Sequence, residues 1–117
     1  MKFLAIDQDR TAMQKLGLAC LERGAGVVIA ENVCDGVRAL LREVVSLIVV
    51  DAAVLRLTAW EHATLFERVA PGVPVVVVVR PDTPLEVRVG FELAGFRVLT
   101  RPISVEDLLE KLDTGKV

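Results

Sequence analysis

The sequence predicts a doubly wound α/β fold, five parallel strands with helices on both faces. Three observations carry that expectation. Five short runs rich in Val, Ile and Leu, at 2–6, 27–30, 46–50, 73–79 and 96–100, lack the polar alternation of a half-solvated strand. Amphipathic stretches of helical period lie between them. Three of the runs stop on a charge, at Asp7, at Asp51 and at Arg101-Pro102. If those runs are parallel neighbours, two carboxylates and a guanidinium share one sheet edge, which is where open α/β sheets bind ligands.

The elements follow in order. After the first strand, Met13, Leu16, Gly17 and Cys20 repeat at i, i+3, i+4, i+7, and Gly24 and Gly26 close that helix. The second helix opens after Asp35, with Val37, Leu40, Leu41 and Val44 as its apolar stripe. The third carries His62, Leu65, Phe66 and Val69. Thr83-Pro84-Leu85-Glu86 reads as a capping box, with proline at the first helical position. The stretch that follows is ambiguous, because Leu85, Val87, Val89, Phe91 and Leu93 alternate with Glu86, Arg88, Gly90 and Glu92 as in a strand. We read it as a helix, since a parallel crossover needs one there. At about 100° per residue, Leu85, Val89 and Leu93 then face one way and Val87 and Phe91 nearly the other. Both faces cannot be buried, so apolar surface is expected to stay exposed on this helix. Ser104, with Asp107 three residues on, starts the last helix. Residues 113–117 read as a frayed tail or the start of a linker.

Composition narrows the function classes. With 117 residues, a single domain is expected, and 53% hydrophobic residues fit strands buried on both faces. No apolar run reaches the length of a membrane span, and the opening Met-Lys-Phe-Leu does not read as a signal peptide. A net charge of −2 argues against nucleic-acid binding by this domain. Cys20 and Cys34 lack metal-ligand spacing and read as packed or half-buried thiols in a reducing cytosol. A cytoplasmic location is therefore expected. His62, the lone histidine, reads as a boundary residue and not as a base or ligand. Trp60 is expected to pack at the start of the third helix, and Glu106, Asp107 and Glu110 to form the solvated face of the last. No Gly-rich phosphate loop follows a strand, and no Gly-x-Ser-x-Gly elbow appears, so dinucleotide-binding and hydrolase readings fail.

Asp7, Asp51, the run Cys-Asp-Gly-Val-Arg-Ala-Leu-Leu at 34–41, Ala94-Gly95-Phe96 and Arg101-Pro102, in this order and at this spacing, resemble the receiver domain of bacterial two-component response regulators. The resemblance runs from Lys2 to about Leu112. It implies a flavodoxin-like sheet in the order 2-1-3-4-5, and phosphoryl transfer from a kinase histidine to an aspartate, with no enzyme activity of the domain's own. By position it implies Asp51 as phosphoacceptor in a phosphorelay and Asp7 as a ligand of Mg²⁺, which neutralises charge on the transferring group. It also implies a histidine kinase or other signalling protein as partner, and a homodimer face on the fourth helix, fifth strand and fifth helix.

Other positions depart from that family together. The second acid is Gln8, a neutral amide that removes one negative charge from a metal site. Asp9 could compensate, but a helix cap suits it better. The hydroxyl position at the end of the fourth strand is Val79, which cannot bond a phosphoryl oxygen. The lysine is Arg101, a larger and forked cation. Arg80 and Arg56 add charge near the site or stand as solvated surface arginines. Asp7 and Asp51 repel each other unless neutralised, and an ion pair with Arg101 would do that without metal. Three readings result: a receiver with weak or absent phosphorylation at Asp51, a phosphorylation-independent interaction module of the same fold, and an unrelated flavodoxin-like ligand-binding domain.

Overall fold

In the computed structural model, which describes residues 1–114, the chain runs β1 (Lys2–Ile6), α1 (Arg10–Glu22), β2 (Gly26–Ala30), α2 (Val33–Arg42), β3 (Leu47–Asp51), a 3₁₀ turn (Ala52–Val54), α3 (Ala59–Val69), β4 (Val75–Val79), α4 (Leu85–Leu93), β5 (Arg97–Thr100) and α5 (Val105–Thr114). All strands are parallel, in the order β2-β1-β3-β4-β5. The fold is the expected one. The bounds of β1 are as expected, and those of the other strands differ by one or two residues. β4 starts at Val75, after Pro74, a residue with no N–H to give to a ladder. The tail expected at 113–117 is helical as far as Thr114, and its last three residues lie outside the described ones.

Strand alternation sends successive side chains to opposite faces, and both faces are covered. Phe3, Ala5, Leu47, Val49, Val76 and Val78 pack on one side against α1 and α5. Leu4, Ile6, Ile48, Val50, Val77 and Val79 pack on the other, with Ala39 of α2 and Phe66 of α3. Fully burying each Val, Leu, Ile or Phe side chain among them contributes about 1.5–3 kcal/mol. This sandwich fixes the ends of β1 and β3, and so fixes where Asp7 and Asp51 begin.

Four helix expectations need correction. In α2 the buried residues are Gly36 and Ala39, while Leu41 and Val44 are 72% and 94% exposed. The cause is close approach: a Cβ on Gly36 would lie 2.5 Å from Ile6 Cδ1. Small residues face β1, Val33 and Leu40 pack half-buried against the same core, and Leu41 and Val44, the latter beyond the helix end, turn outward. Its cap is Asn32, whose side chain accepts from the Asp35 N–H, and not Asp35. The capping box expected at Thr83 is absent, because Pro84 occupies the cap and no side chain bonds there. A complete box instead starts α3, where Thr58 and Glu61 bond reciprocally. Ser104 and Asp107 do the same for α5, as expected. Gly24, at φ +77°, ends α1 in a conformation that suits glycine, but Gly26 belongs to β2.

Single residues differ too. Trp60 does not pack at the start of α3; it is 65% exposed. His62 is no boundary residue but is buried, 2% exposed. Cys20 is fully buried, and burial raises its thiol pKa, whereas Cys34 is exposed. Glu106 is not merely solvated but pairs with Arg23. The fourth helix is a helix and keeps its apolar surface outside: Leu85, Val87, Val89 and Leu93 are all exposed, and only Phe91 turns in, edge-on to Phe96.

Candidate functional site

Asp7 follows β1 and is held in line by its own N–H, which donates to Ala30 O at 3.0 Å. Asp51 is the last residue of β3, beside Val78 of β4. Arg101 follows β5 and donates its N–H to Val79 O at 2.9 Å; its bond to Pro102 is cis. Each anchor is a backbone bond to a neighbouring strand, so the sheet itself delivers the three side chains to one edge.

There they form a closed triad. Arg101 Nη2 donates to Oδ2 of both Asp7 and Asp51, and Arg101 Nε donates to Asp51 Oδ2 at 3.1 Å. The remaining oxygens turn to the backbone. Asp7 Oδ1 accepts from Asp9 N at 3.0 Å, and Asp51 Oδ1 accepts from Ala53 N at 2.7 Å. Every carboxylate oxygen of the pair thus has a donor. The side chains of Asp7, Asp51 and Arg101 are 8%, 16% and 28% exposed, so water screens the triad only in part. Burial works against the Arg101 charge, but the hydrogen bonds and charges of both aspartates outweigh it and raise its pKa. One fixed cation holds together two carboxylates that would otherwise repel.

The other residues expected at the site stand aside. Gln8 is exposed. Asp9 caps α1, its Oδ1 accepting from Ala12 N at 3.0 Å. Val79 is buried in the core beneath the edge and offers no polar atom. Arg80 and Arg56 are exposed and make no ion pair among the described residues. Mg²⁺ wants several oxygen ligands in near-octahedral array. The donor set on the page is two carboxylates already bonded to a guanidinium, and among the described residues no cluster of three His, Cys, Asp or Glu is arranged for a metal. These residues do not fit the ion while Arg101 stays in place.

A feature the sequence hid is His62. Its Nε2 accepts from Leu57 N–H at 3.0 Å, so in the neutral ring the proton sits on Nδ1, and that buried atom has no partner. An unsatisfied buried donor costs about 1–3 kcal/mol. Burial lowers the His62 pKa against the weaker pull of Glu61, which favours the neutral ring.

No family model matches the chain. It is similar to the transcriptional regulatory protein GlrR of Escherichia coli K12, 30% identical over 113 residues that make up 94% of this chain and 25% of the relative. The chain thus spans about a quarter of that protein's length. Among solved structures, a CheY-like response regulator receiver domain protein from Methanospirillum hungatei matches with TM-score 0.81 at 23% identity, over 98% of this chain and 95% of that one. A response regulator from Burkholderia pseudomallei, solved with a phosphorylated aspartic acid, calcium ion and citrate, matches with TM-score 0.81 at 21% identity, over 95% of this chain and 65% of that one. Along nearly its whole length the chain resembles GlrR, and it has the fold of the Methanospirillum receiver domain.

Proposed function

We propose that residues 1–117 form one receiver unit whose acidic site is closed by its own arginine, so that phosphorylation of Asp51 is weak or absent and signalling proceeds through protein contact. The observation that carries this reading is the fork of Arg101 across Asp7 and Asp51. It supplies the charge neutralisation that a divalent cation would otherwise supply, and it occupies the oxygens such an ion would need. Gln8 gives no charge to replace them. Val79 removes a hydrogen bond to a phosphoryl oxygen, and bonds to charged groups contribute about 1.5–3 kcal/mol each. That loss alone would weaken a phosphorylated state about tenfold. The domain works as a signalling module in the cytoplasm and not as a catalyst. Its partner is a histidine kinase or another signalling protein, or a second copy docking on α4, β5 and α5, where Leu85, Val87, Val89 and Leu93 stand exposed.

The test is intact-mass spectrometry after incubation with Mg²⁺ and acetyl phosphate. We expect little singly phosphorylated species from the parent, and more from Arg101→Lys, whose cation has no fork to span both carboxylates. Asp51→Asn should give none. Substantial conversion of the parent, lost in Asp51→Asn, would sink the closed-site reading. The contact face has its own check: Val87→Asp should weaken self-association in sedimentation velocity while leaving the fold intact.

A further inference from the structure

The two outer strands of the sheet are built differently. β5 begins on Arg97 and is followed by Arg101, so charge stands along that side. β2, on the other side, reads Gly26-Val27-Val28-Ile29-Ala30, with no charge and no proline. Exposed edge strands are commonly guarded by charges, prolines or a covering segment, because their unpaired backbone groups invite another strand. The direction of those groups follows from the bonds to β1. Gly26 N donates to Met1 O at 2.9 Å, and Ala30 O accepts from Asp7 N at 3.0 Å. In a parallel pair one residue sends its N–H and C=O to the same neighbour, and the next sends both away. Gly26, Val28 and Ala30 therefore face β1. Val27 and Ile29 each turn an N–H and a C=O to the open side, where no strand stands and no group among the described residues bonds them. The flank is apolar too. An open groove on the α1 side is lined by Gly17, Leu18, Leu21, Val27 and Ile29, of which Leu18, Leu21 and Ile29 are exposed. The one charged residue of its lining, Lys2, is already paired with Glu43 at 2.6 Å.

We infer that the open side of β2 is a self-association surface, on which β2 of a second copy of this chain pairs antiparallel about a twofold axis through Val28. The symmetry of the strand itself selects that occupant. Its outward groups lie at Val27 and Ile29, one residue to either side of Val28. Antiparallel pairing sets Val27 opposite Ile29 of the second copy, and Ile29 opposite its Val27, as hydrogen-bonded pairs that exchange both bonds. Every outward N–H and C=O of the two residues then has a partner. The same axis brings the two α1 helices side by side on one face of the joined sheet, with Leu18 and Leu21 of each toward the other. Gly17 leaves room for that approach, since nothing lies within 4 Å of where its Cβ would stand. With Lys2 neutralised by Glu43, like charges do not oppose each other across the groove. The pairing uses up the open side of β2 in both copies, so it closes as a dimer and does not grow into a filament. It lies across the sheet from β5, and it stands apart from whether Asp51 is phosphorylated.

The experiment is amide hydrogen exchange on the ¹⁵N-labelled chain as its concentration is raised into the millimolar range, with sedimentation velocity on the same samples. The amides of Val27 and Ile29 should exchange fast in dilute protein and slow down as the dimer forms. Those of Val28 and Ala30 should be slow throughout, because they face β1. Ile29→Pro removes an outward N–H and spares the bonds to β1, a place in an outer strand where proline is tolerated. It should raise the dimer dissociation constant about tenfold or more, since the twofold axis counts each lost bond twice. Leu18→Lys, at an exposed site on α1, should also weaken the dimer by setting like charges across the axis, and it keeps the test valid if the proline variant fails to fold. Val87→Asp should leave the slowing at Val27 and Ile29 unchanged, which separates this surface from the one on α4, β5 and α5. Exchange at Val27 and Ile29 that does not depend on concentration would overturn the pairing, as would self-association that neither Ile29→Pro nor Leu18→Lys weakens. A chain that stays monomeric at millimolar concentration would overturn the second copy as the occupant.

Discussion

Strands β1, β3 and β4 and the pair α4–β5 are packed to different degrees. Every residue of β4 is buried, as are all but the first of β1 and all but the last of β3. No residue of α4 is buried, and all four of β5 are only half-buried. The carboxylates of Asp7 and Asp51 stand on the first group, while Arg101 stands at the end of the second. The triad therefore joins a rigid platform to a loosely packed rim. Elements with few buried contacts open at low free energy and supply the motions of a switch. We expect the rim to open before the platform, with Arg101 restraining it.

The largest expected effect contrasts the two regions directly. Leu47→Ala, at a fully buried site, should destabilise by about 2–5 kcal/mol in urea unfolding. Leu93→Ala, at 70% exposure on α4, should stay within about 0.5 kcal/mol. Similar losses at both sites would erase the distinction. Next in size, Arg101→Gln removes the shared cation and leaves two carboxylates, one of them buried. We expect a loss of about 1–3 kcal/mol, below that of a fully buried pair because the guanidinium is partly exposed. Hydrogen exchange should rise on β5 and α4 and stay slow on β1 and β3. Added Mg²⁺ should recover part of the loss in this variant and have little effect on the parent. A uniform rise in exchange would show that the arginine does not restrain the rim selectively. The smallest effect concerns α3, which joins the platform through His62 and Phe66. Burial depresses the His62 pKa, so the unfolded state binds the extra proton first. The His62 contribution is complete above the ordinary histidine value of about 6.5 and is lost as pH falls through the lower folded value. Between pH 7.5 and 5.5 the parent should lose more urea stability than His62→Phe. Equal losses would remove His62 as the cause.

The strands were legible because an apolar run buried on both faces has few other uses, and because Asp7, Asp51 and Arg101 mark where three of them end. The same marks made the ion pair legible: opposite charges delivered to one edge in a fixed order leave little choice of partner. Small residues misled. Gly36 and Ala39 carry almost no hydrophobic signal, yet they set the face of α2, because close approach to Ile6 matters more there than side-chain area. Leu40 packs half-buried beside them, and Leu41 turns outward. Pro84, expected as a first helical residue, takes the cap of α4 instead, while Thr58-Ala59-Trp60-Glu61 carries the complete box of α3 in its sequence. Nothing in the sequence distinguishes a buried histidine from a boundary one, since burial of His62 depends on the 52–58 segment folding over it to bring the Leu57 N–H to its ring.

The triad also bears on the order in which the chain assembles. Asp7 and Arg101 are 94 residues apart, and Asp51 and Arg101 are 50 apart. β1 and β3 can pair without either bond, but the guanidinium cannot reach its partners until β5 has docked at the far side of β4. Contacts across such separations close late, because the loop entropy must be spent first. A bond made after the barrier slows unfolding and leaves the folding rate alone. Arg101 would then act as a latch on a finished domain, its loss read in the unfolding arm of a chevron and not in the folding arm. A lifetime set by one cation at the chain's last strand is a property that a partner pulling on α4 and β5 could shorten.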